Sequence, residues 1–227
     1  MPDEKFEILS KMSKSKKQVA TTIEFVDIAG LVKGAHSGEG LGNKFLANIR
    51  ECDAICEVVR NFEDSNIHHV DGRIDPESDQ ATISTELIMA DLETISKARV
   101  KLEKEVRGNS KEAKLKLDLV EKMIPHLDSG APARTLALSE EEERLLKSYC
   151  LLTMKPILYV VNVNEQSGAL MTNWDGEVIT LNVRQEEEIA QLPIEEQGEF
   201  IAELGLEESG LSKLIKASYK LLELDTF

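Results

Sequence analysis

The sequence predicts an α/β fold, and three observations carry that expectation. Four short β-branched or apolar runs, at residues 21–26, 54–59, 157–161 and 178–183, alternate with segments of helical period. Two heptad seams flank one glycine-containing break, which predicts an antiparallel helical hairpin inserted into that alternation. The 41% apolar content over 227 residues is enough to build a buried core despite the acidity of the chain.

Taken in order, residues 21–26 (TTIEFV) read as a strand stopping at Asp27, and a long loop with glycines at 30, 34, 38, 40 and 42 follows. Residues 43–51 have helical spacing, and Ala54–Val59 is again strand-like. From Ser78 a charged helix carries Ile88, Leu92, Ile95, Leu102 and Val106 on one seam. Gly108 to Ser110 breaks it, and Leu117, Val120, Ile124 and Leu127 form the second seam before Gly130. Ser139 and Glu142 have capping-box spacing and open a third helix with Leu145, Leu146, Tyr149 and Leu152 inward. Ile157–Val161 reads as a buried strand ending at Asn162, and Val178–Val183 as another. Residues 193–204 and 209–224 read as amphipathic helices, with Pro193 suited to a first turn.

Composition excludes several classes. With 27 Lys+Arg against 42 Asp+Glu, the net charge of −15 argues against a surface that grips nucleic acid or anionic lipid as a whole. Residues 97–122 are the exception, holding nine Lys/Arg and five Asp/Glu, a local surplus of four positive charges. The apolar stretch Pro156–Val161 is far too short to cross a bilayer, and the residues after Met1 show no signal-peptide pattern. Three cysteines, Cys52, Cys56 and Cys150, with no C-x-x-C pair suit a reducing cytoplasm. No membrane association is expected.

Ligands of open α/β sheets bind beyond the carboxyl ends of the strands, which directs attention to Asp27–Gly30, Asn162–Glu165 and Asn182. An aspartate at a strand end can hold a magnesium ion through water, while a glycine three residues on donates its amide to a terminal phosphate. A lone D-x-x-G is common by chance and reads equally as a turn. The glycines at 38, 40 and 42 do not fit the dinucleotide fingerprint, since the third falls one position early and no strand directly precedes them.

The continuous run at 27–51, DIAGLVKGAHSGEGLGNKFLANIRE, changes those odds together with RNFED at 60–64, NIHHVDGRIDP at 66–76, KPILYVVNVNE at 155–165 and LGLEESGLSKLIKASYKLL at 204–222. This set resembles the Obg-like ATPase (YchF) family of P-loop NTPases over nearly the whole chain. The resemblance implies an OBG-type G domain, in part, at residues 1–77 and 131–227, with residues 78–130 as the coiled-coil insertion.

It further implies that Asp27 to Gly30 is the switch II motif, Asp27 serving Mg²⁺ and Gly30 the γ-phosphate. Leu31 stands where Ras-like GTPases carry a water-orienting glutamine, and His69 matches the family's substitute for it, with His68 a less favoured neighbour. Without the family, two adjacent histidines read as an exposed loop pair. Asn162, Val163 and Glu165 match the base-recognition motif that reads N-K-x-D in guanine-specific relatives. There the aspartate accepts from the N1–H and 2-amino groups of guanine, an arrangement adenine lacks. The resemblance therefore implies ATP as the preferred ligand, with weaker GTP binding. Asn162 would contact the base edge and Val163 cover its face. Asn182 falls in the adjoining base-pocket segment, but Leu181-Asn182-Val183-Arg184 departs from the small residue and alanine the family usually carries there.

The chain contains no G-x-x-x-x-G-K-[S/T] segment. Against the family, it is expected to be truncated at its start, without the phosphate loop, and at its end, without the TGS domain. The strands matching 22–26 and 54–60 would then have unpaired inner edges and the isolated chain marginal stability. The expected function is that of a cytoplasmic, monomeric, ribosome-associated ATPase using Mg²⁺ through its nucleotide, with this chain catalytically impaired. The alternatives are a ribosome- or protein-binding module without NTPase activity, whose basic hairpin contacts RNA, or a non-functional fragment.

Overall fold

The computed structural model describes residues 4–17, 19, 21–28, 41–63, 73–168 and 172–224. In chain order the elements are α1 (Glu4–Met12), α2 (Leu41–Glu51), β1 (Ile55–Asn61), α3 (Pro76–Val106), α4 (Lys111–Asp128), α5 (Glu140–Leu146), β2 (Ile157–Val163), β3 (Glu177–Leu181), α6 (Val183–Gln191), α7 (Ile194–Glu203) and α8 (Gly210–Leu221). The class is α/β, as the alternation predicts.

The strands form a parallel sheet in the order β1-β2-β3, with Val58 opposite Val160 and Asn162 opposite Leu181. Parallel neighbours need long crossovers, and the hairpin supplies the one between β1 and β2. Central β2 is buried from Ile157 to Val161, because a strand covered on both faces tolerates no polar alternation. Edge β1 alternates instead, exposing Cys56 and Val58 while burying Glu57 and Val59.

Residues 21–28 overturn one expectation: they form neither strand nor helix, and Phe25 and Val26 are exposed. A β-branched run becomes a strand only where a neighbour completes its ladder. Among the described residues β1 carries a ladder on its β2 side alone, and no strand pairs with 21–28. Tyr219 Oη donates to the Thr21 carbonyl at 3.2 Å.

Helix α3 begins two residues earlier than the apolar pattern suggests. Asp75 accepts from the Ser78 amide at 3.1 Å, and Pro76 occupies the first turn, where its missing N–H costs nothing. Asn109, at φ 63°, turns the chain, and Ser110 caps α4 through the Ala113 amide. The two helices close over Ile88, Ile95 and Leu102 on one side and Ala113, Val120, Met123 and Leu127 on the other. Leu117 and Ile124, expected on the seam, lie at its half-buried margin, while Leu119 and Met123 are buried.

The base of the hairpin is tied to the sheet by Asp91, which is completely buried on α3. Its carboxylate accepts from the amides of Leu152 and Thr153 at 2.8 and 2.7 Å and from the Thr153 hydroxyl at 2.7 Å. Thr153 Oγ1 in turn accepts from the Ala133 amide at 2.9 Å. One buried acid thus joins α3, the segment leading into β2 and the segment leaving α4.

On the far side of the sheet α6 and α8 meet at Gly210. Glu186 of α6 accepts from the Gly210 and Leu211 amides at 2.6 and 3.0 Å, filling the donors of the first turn of α8. A Cβ at Gly210 would stand 2.6 Å from Leu181 Cβ and 2.9 Å from Glu186 Oε1. Gly210→Ala is therefore expected to destabilise the chain by about 1–3 kcal/mol, measured by urea denaturation.

Candidate functional site

The carboxyl ends of β1, β2 and β3 lie side by side, since Asn61 is in register with Val163 and Asn162 with Leu181. Helix α6 starts at this edge, and its first amides need acceptors. Asn182 Oδ1 accepts from the amides of Arg184 and Gln185 at 3.1 and 3.4 Å, and Asn162 Oδ1 reaches across from β2 to the Val183 amide at 3.3 Å. The structure thus brings Asn162 and Asn182 together around one helix start. With its oxygen engaged, Asn162 retains its two Nδ2 donors for a ligand.

The turn after β2 is laced to the end of β1. Asn164 Oδ1 accepts from the Gln166 amide at 3.0 Å, and the Asn164 amide donates to Ser167 Oγ at 2.8 Å. Ser167 Oγ donates to the Asn61 carbonyl, and Asn61 Nδ2 to the Gly168 carbonyl at 3.4 Å. Within that frame Val163 is half-buried and Glu165 exposed, its carboxylate open to solvent. At the end of β1 the Arg60 guanidinium lies 4.6 Å from the centre of the Phe62 ring.

Asp27 is exposed, and no described hydrogen bond or ion pair joins it to Asn162, Glu165 or Asn182. Gly30, His68 and His69 lie outside the described residues. Among the described residues no group of three or more His, Cys, Asp or Glu side chains could hold a metal ion.

A second polar group, absent from the sequence reading, lies between the sheet and the hairpin base and runs from a buried interior to exposed Asp175. Glu57 on β1 is opposite Tyr159 on β2 in the sheet register, and both are buried. Tyr159 Oη donates to Asp175 Oδ1 at 2.9 Å and accepts from Gln80 Nε2 at 3.2 Å, while its ring tilts against Trp174 with centroids 4.8 Å apart. Asp175 pairs with Arg134 at 2.7 Å, and Arg134 also donates to the Thr153 carbonyl at 3.1 Å. Among the described residues, Glu57 Oε1 and Arg134 Nε are buried without a hydrogen-bond partner.

Burial pushes the Glu57 carboxyl up to about 8; nearby Arg134 opposes this, and the charges of Asp175 and Asp79 add to it. Burial and the neighbouring Asp175 also raise the Tyr159 phenol. For Asp175 itself desolvation is outweighed by Arg134 and the Tyr159 hydrogen bond, which hold it below the ordinary carboxylate range. Burial raises Asp91, partly offset by the hydrogen bonds from Thr153 and Leu152. The group carries a mixture of neutral and charged members that a strand pattern alone does not reveal.

The family model of the 50S ribosome-binding GTPase matches residues 9–90. The ribosome-binding ATPase YchF of Haemophilus influenzae is 46% identical over the whole of this chain, and that of Bacillus subtilis 45%. The chain belongs to the YchF family. It spans 65% and 66% of the length of those two relatives. The YchF GTPase structure from Schizosaccharomyces pombe superposes with a TM-score of 0.79 at 34% identity, covering 97% of this chain and 64% of that one. The parallel sheet and packed helical hairpin are accordingly features shared with a solved YchF protein. Among the described residues no helix is long and apolar enough to cross a membrane.

Proposed function

We propose that this chain carries the base-reading edge and the ribosome-directed hairpin of an ATPase of the YchF type. The observation that supports it most is the convergence of Asn162 and Asn182 on the start of α6, beside the exposed Glu165. The Nδ2 donors of Asn162 suit the N7 acceptor of a purine, and Val163 covers the ring face. Glu165 replaces the aspartate that would pair with guanine N1–H and 2-amino, so adenine is favoured and GTP binds more weakly.

Asp27, an exposed hard oxygen donor, fits a Mg²⁺ ion whose remaining ligands come from nucleotide phosphates and water. When bound, that ion would neutralise phosphate charge. Gly30 would meet the γ-phosphate and His69 orient the attacking water. These 227 residues hold no G-x-x-x-x-G-K-[S/T] segment, so the chain by itself grips the base better than the phosphates and turns over little ATP.

Calorimetry with Mg-ATP and Mg-GTP tests this reading. Glu165→Asp is expected to move the ATP-over-GTP preference toward GTP by about tenfold, the value of one hydrogen bond. An unchanged preference would remove Glu165 from the site. Asn162→Ala is a less clean probe, since it also strips an acceptor from the first turn of α6.

The binding-module reading is favoured by one specific feature. Most of the hairpin stem is internally neutralised, with Lys97 paired to Glu93, Arg99 to Glu103, Lys101 to Glu105 and Lys116 to Glu112. Toward the tip, exposed Lys104, Arg107, Lys111 and Lys114 have no ion-pair partner within 4.0 Å among the described residues. Such a tip would bind ribosomal RNA. The expected result is an affinity that falls steeply with salt, with a log–log slope reduced by about 1 for each tip cation replaced by alanine. A flat salt response would instead assign the tip to protein contacts.

A further inference from the structure

We propose that the groove between α4 and α5 is a docking site for a basic amphipathic helix of a partner protein. The groove has a volume of about 300 Å³, and Leu115, Leu119 and Leu145 contribute its apolar surface. Leu119 is buried, but Leu115, one turn earlier on the same stripe, is 55% exposed. The apolar stripe of α4 therefore continues out from beneath α5 into open solvent. A charged pair in the lining holds the two helices together: Lys122 lies 3.6 Å from Glu142 and donates to the Ala137 carbonyl at 3.0 Å.

The rim selects the occupant. Asp118 and Glu141 border the groove from opposite helices, both exposed and without an ion-pair partner within 4.0 Å among the described residues. Their acidity contrasts with the paired stem and the basic tip of the hairpin. An apolar floor between two unpaired carboxylates is complementary to a helix that presents leucine-like side chains at i, i+3 and i+4 with Lys or Arg on either side. The same rim repels nucleic acid and anionic lipid. A second copy, with a net charge of −15, is repelled over most of its surface, and docking of its basic hairpin tip would be read out as dimerisation. The space suits the side chains of one docked segment.

The test uses the 227-residue chain and a synthetic leucine/lysine amphipathic helical peptide, with a control peptide of equal composition and scattered leucines. Binding is followed by anisotropy and by backbone amide shifts. The expected result is saturable binding of the amphipathic peptide alone, with shifts centred on Leu115, Leu119 and Leu145. Leu115→Glu should weaken it about tenfold or more, the cost of losing one buried leucine contact. That variant adds a negative charge at an exposed position, so diffuse attraction to an acidic chain would be unchanged or strengthened by it. Glu141→Lys, on the other helix, should weaken binding and reduce its salt dependence. Equal binding of the control peptide, or affinity unaffected by both substitutions, would overturn the proposal. So would RNA binding, anionic-vesicle binding or dimerisation that Leu115→Glu abolishes.

Discussion

Replacing Asp91 by alanine is expected to cost about 3–5 kcal/mol of stability, more than any surface change in this chain. The carboxylate receives three hydrogen bonds at 2.7–2.8 Å, from donors on Leu152 and Thr153 that are themselves almost fully buried. Without it the two amides keep no acceptor in a region water does not reach, and each incurs its desolvation cost. The Thr153 hydroxyl, which accepts from the Ala133 amide, also loses the carboxylate that orients it. Asp91→Asn should cost markedly less, because an amide oxygen can still accept from one of the two backbone donors and the buried charge disappears. Urea denaturation of the two variants provides the comparison. An alanine variant as stable as the parent would show that the hairpin base is held by apolar packing alone.

The second large effect concerns pH. Glu57 has an ordinary carboxyl pKa of 4.5 when unfolded and about 8 when folded. Between those values the folded state binds more protons than the unfolded one, so this group's contribution to stability is full below about pH 4.5. It falls as pH rises and is lost above about pH 8. At pH 7 folding must protonate the group at a cost of about 3 kcal/mol. Glu57→Gln keeps the shape without that cost. It is expected to be about 3 kcal/mol more stable at pH 7, with the gain shrinking to less than about 1 kcal/mol at pH 5. The lowered Asp175 works in the opposite sense and the raised Asp91 in the same sense, but both are shared by parent and variant, so the difference between the two isolates Glu57. Urea midpoints across pH 5 to 8 would show it. A constant difference between parent and variant would mean that Glu57 is ionised in the folded state.

The two acids behind these predictions were not legible in the sequence, and the reason is geometric. Glu57 sits inside an apolar strand run, and Tyr159 inside another, but nothing in one dimension says that Cα atoms 57 and 159 face each other. Asp91 lies on a charged helix where most acids are solvated, and only the return of residues 152 and 153 encloses it. What the periodicity did reveal was local: the hairpin break at Gly108–Ser110, the capping box at Ser139 and Glu142, and the buried run at Ile157–Val161.

Strand propensity at 21–26 failed because a strand needs a partner that the described sheet does not provide. Helix α6 went unread, although Asn182 before a run of strong helix formers is an N-cap signal. Of the predicted site, Asn162 and Asn182 each accept from amides at the start of α6, while Asp27 shares no described hydrogen bond with them. Gly30 and His69 lie outside the described residues, and the roles proposed for them rest on family resemblance alone.

The proposed reading of adenine by the carboxyl edge of β2 and β3 predicts a nucleotide-selective response there. Backbone amide shifts of the 227-residue chain titrated with Mg-ATP and, in parallel, Mg-GTP test it even where binding is weak. The Val183 amide, which donates to Asn162, and the amides of the 164–168 turn should move with Mg-ATP and move less with Mg-GTP. If those amides stay fixed at saturating ATP, or respond to GTP as strongly as to ATP, this edge does not read adenine.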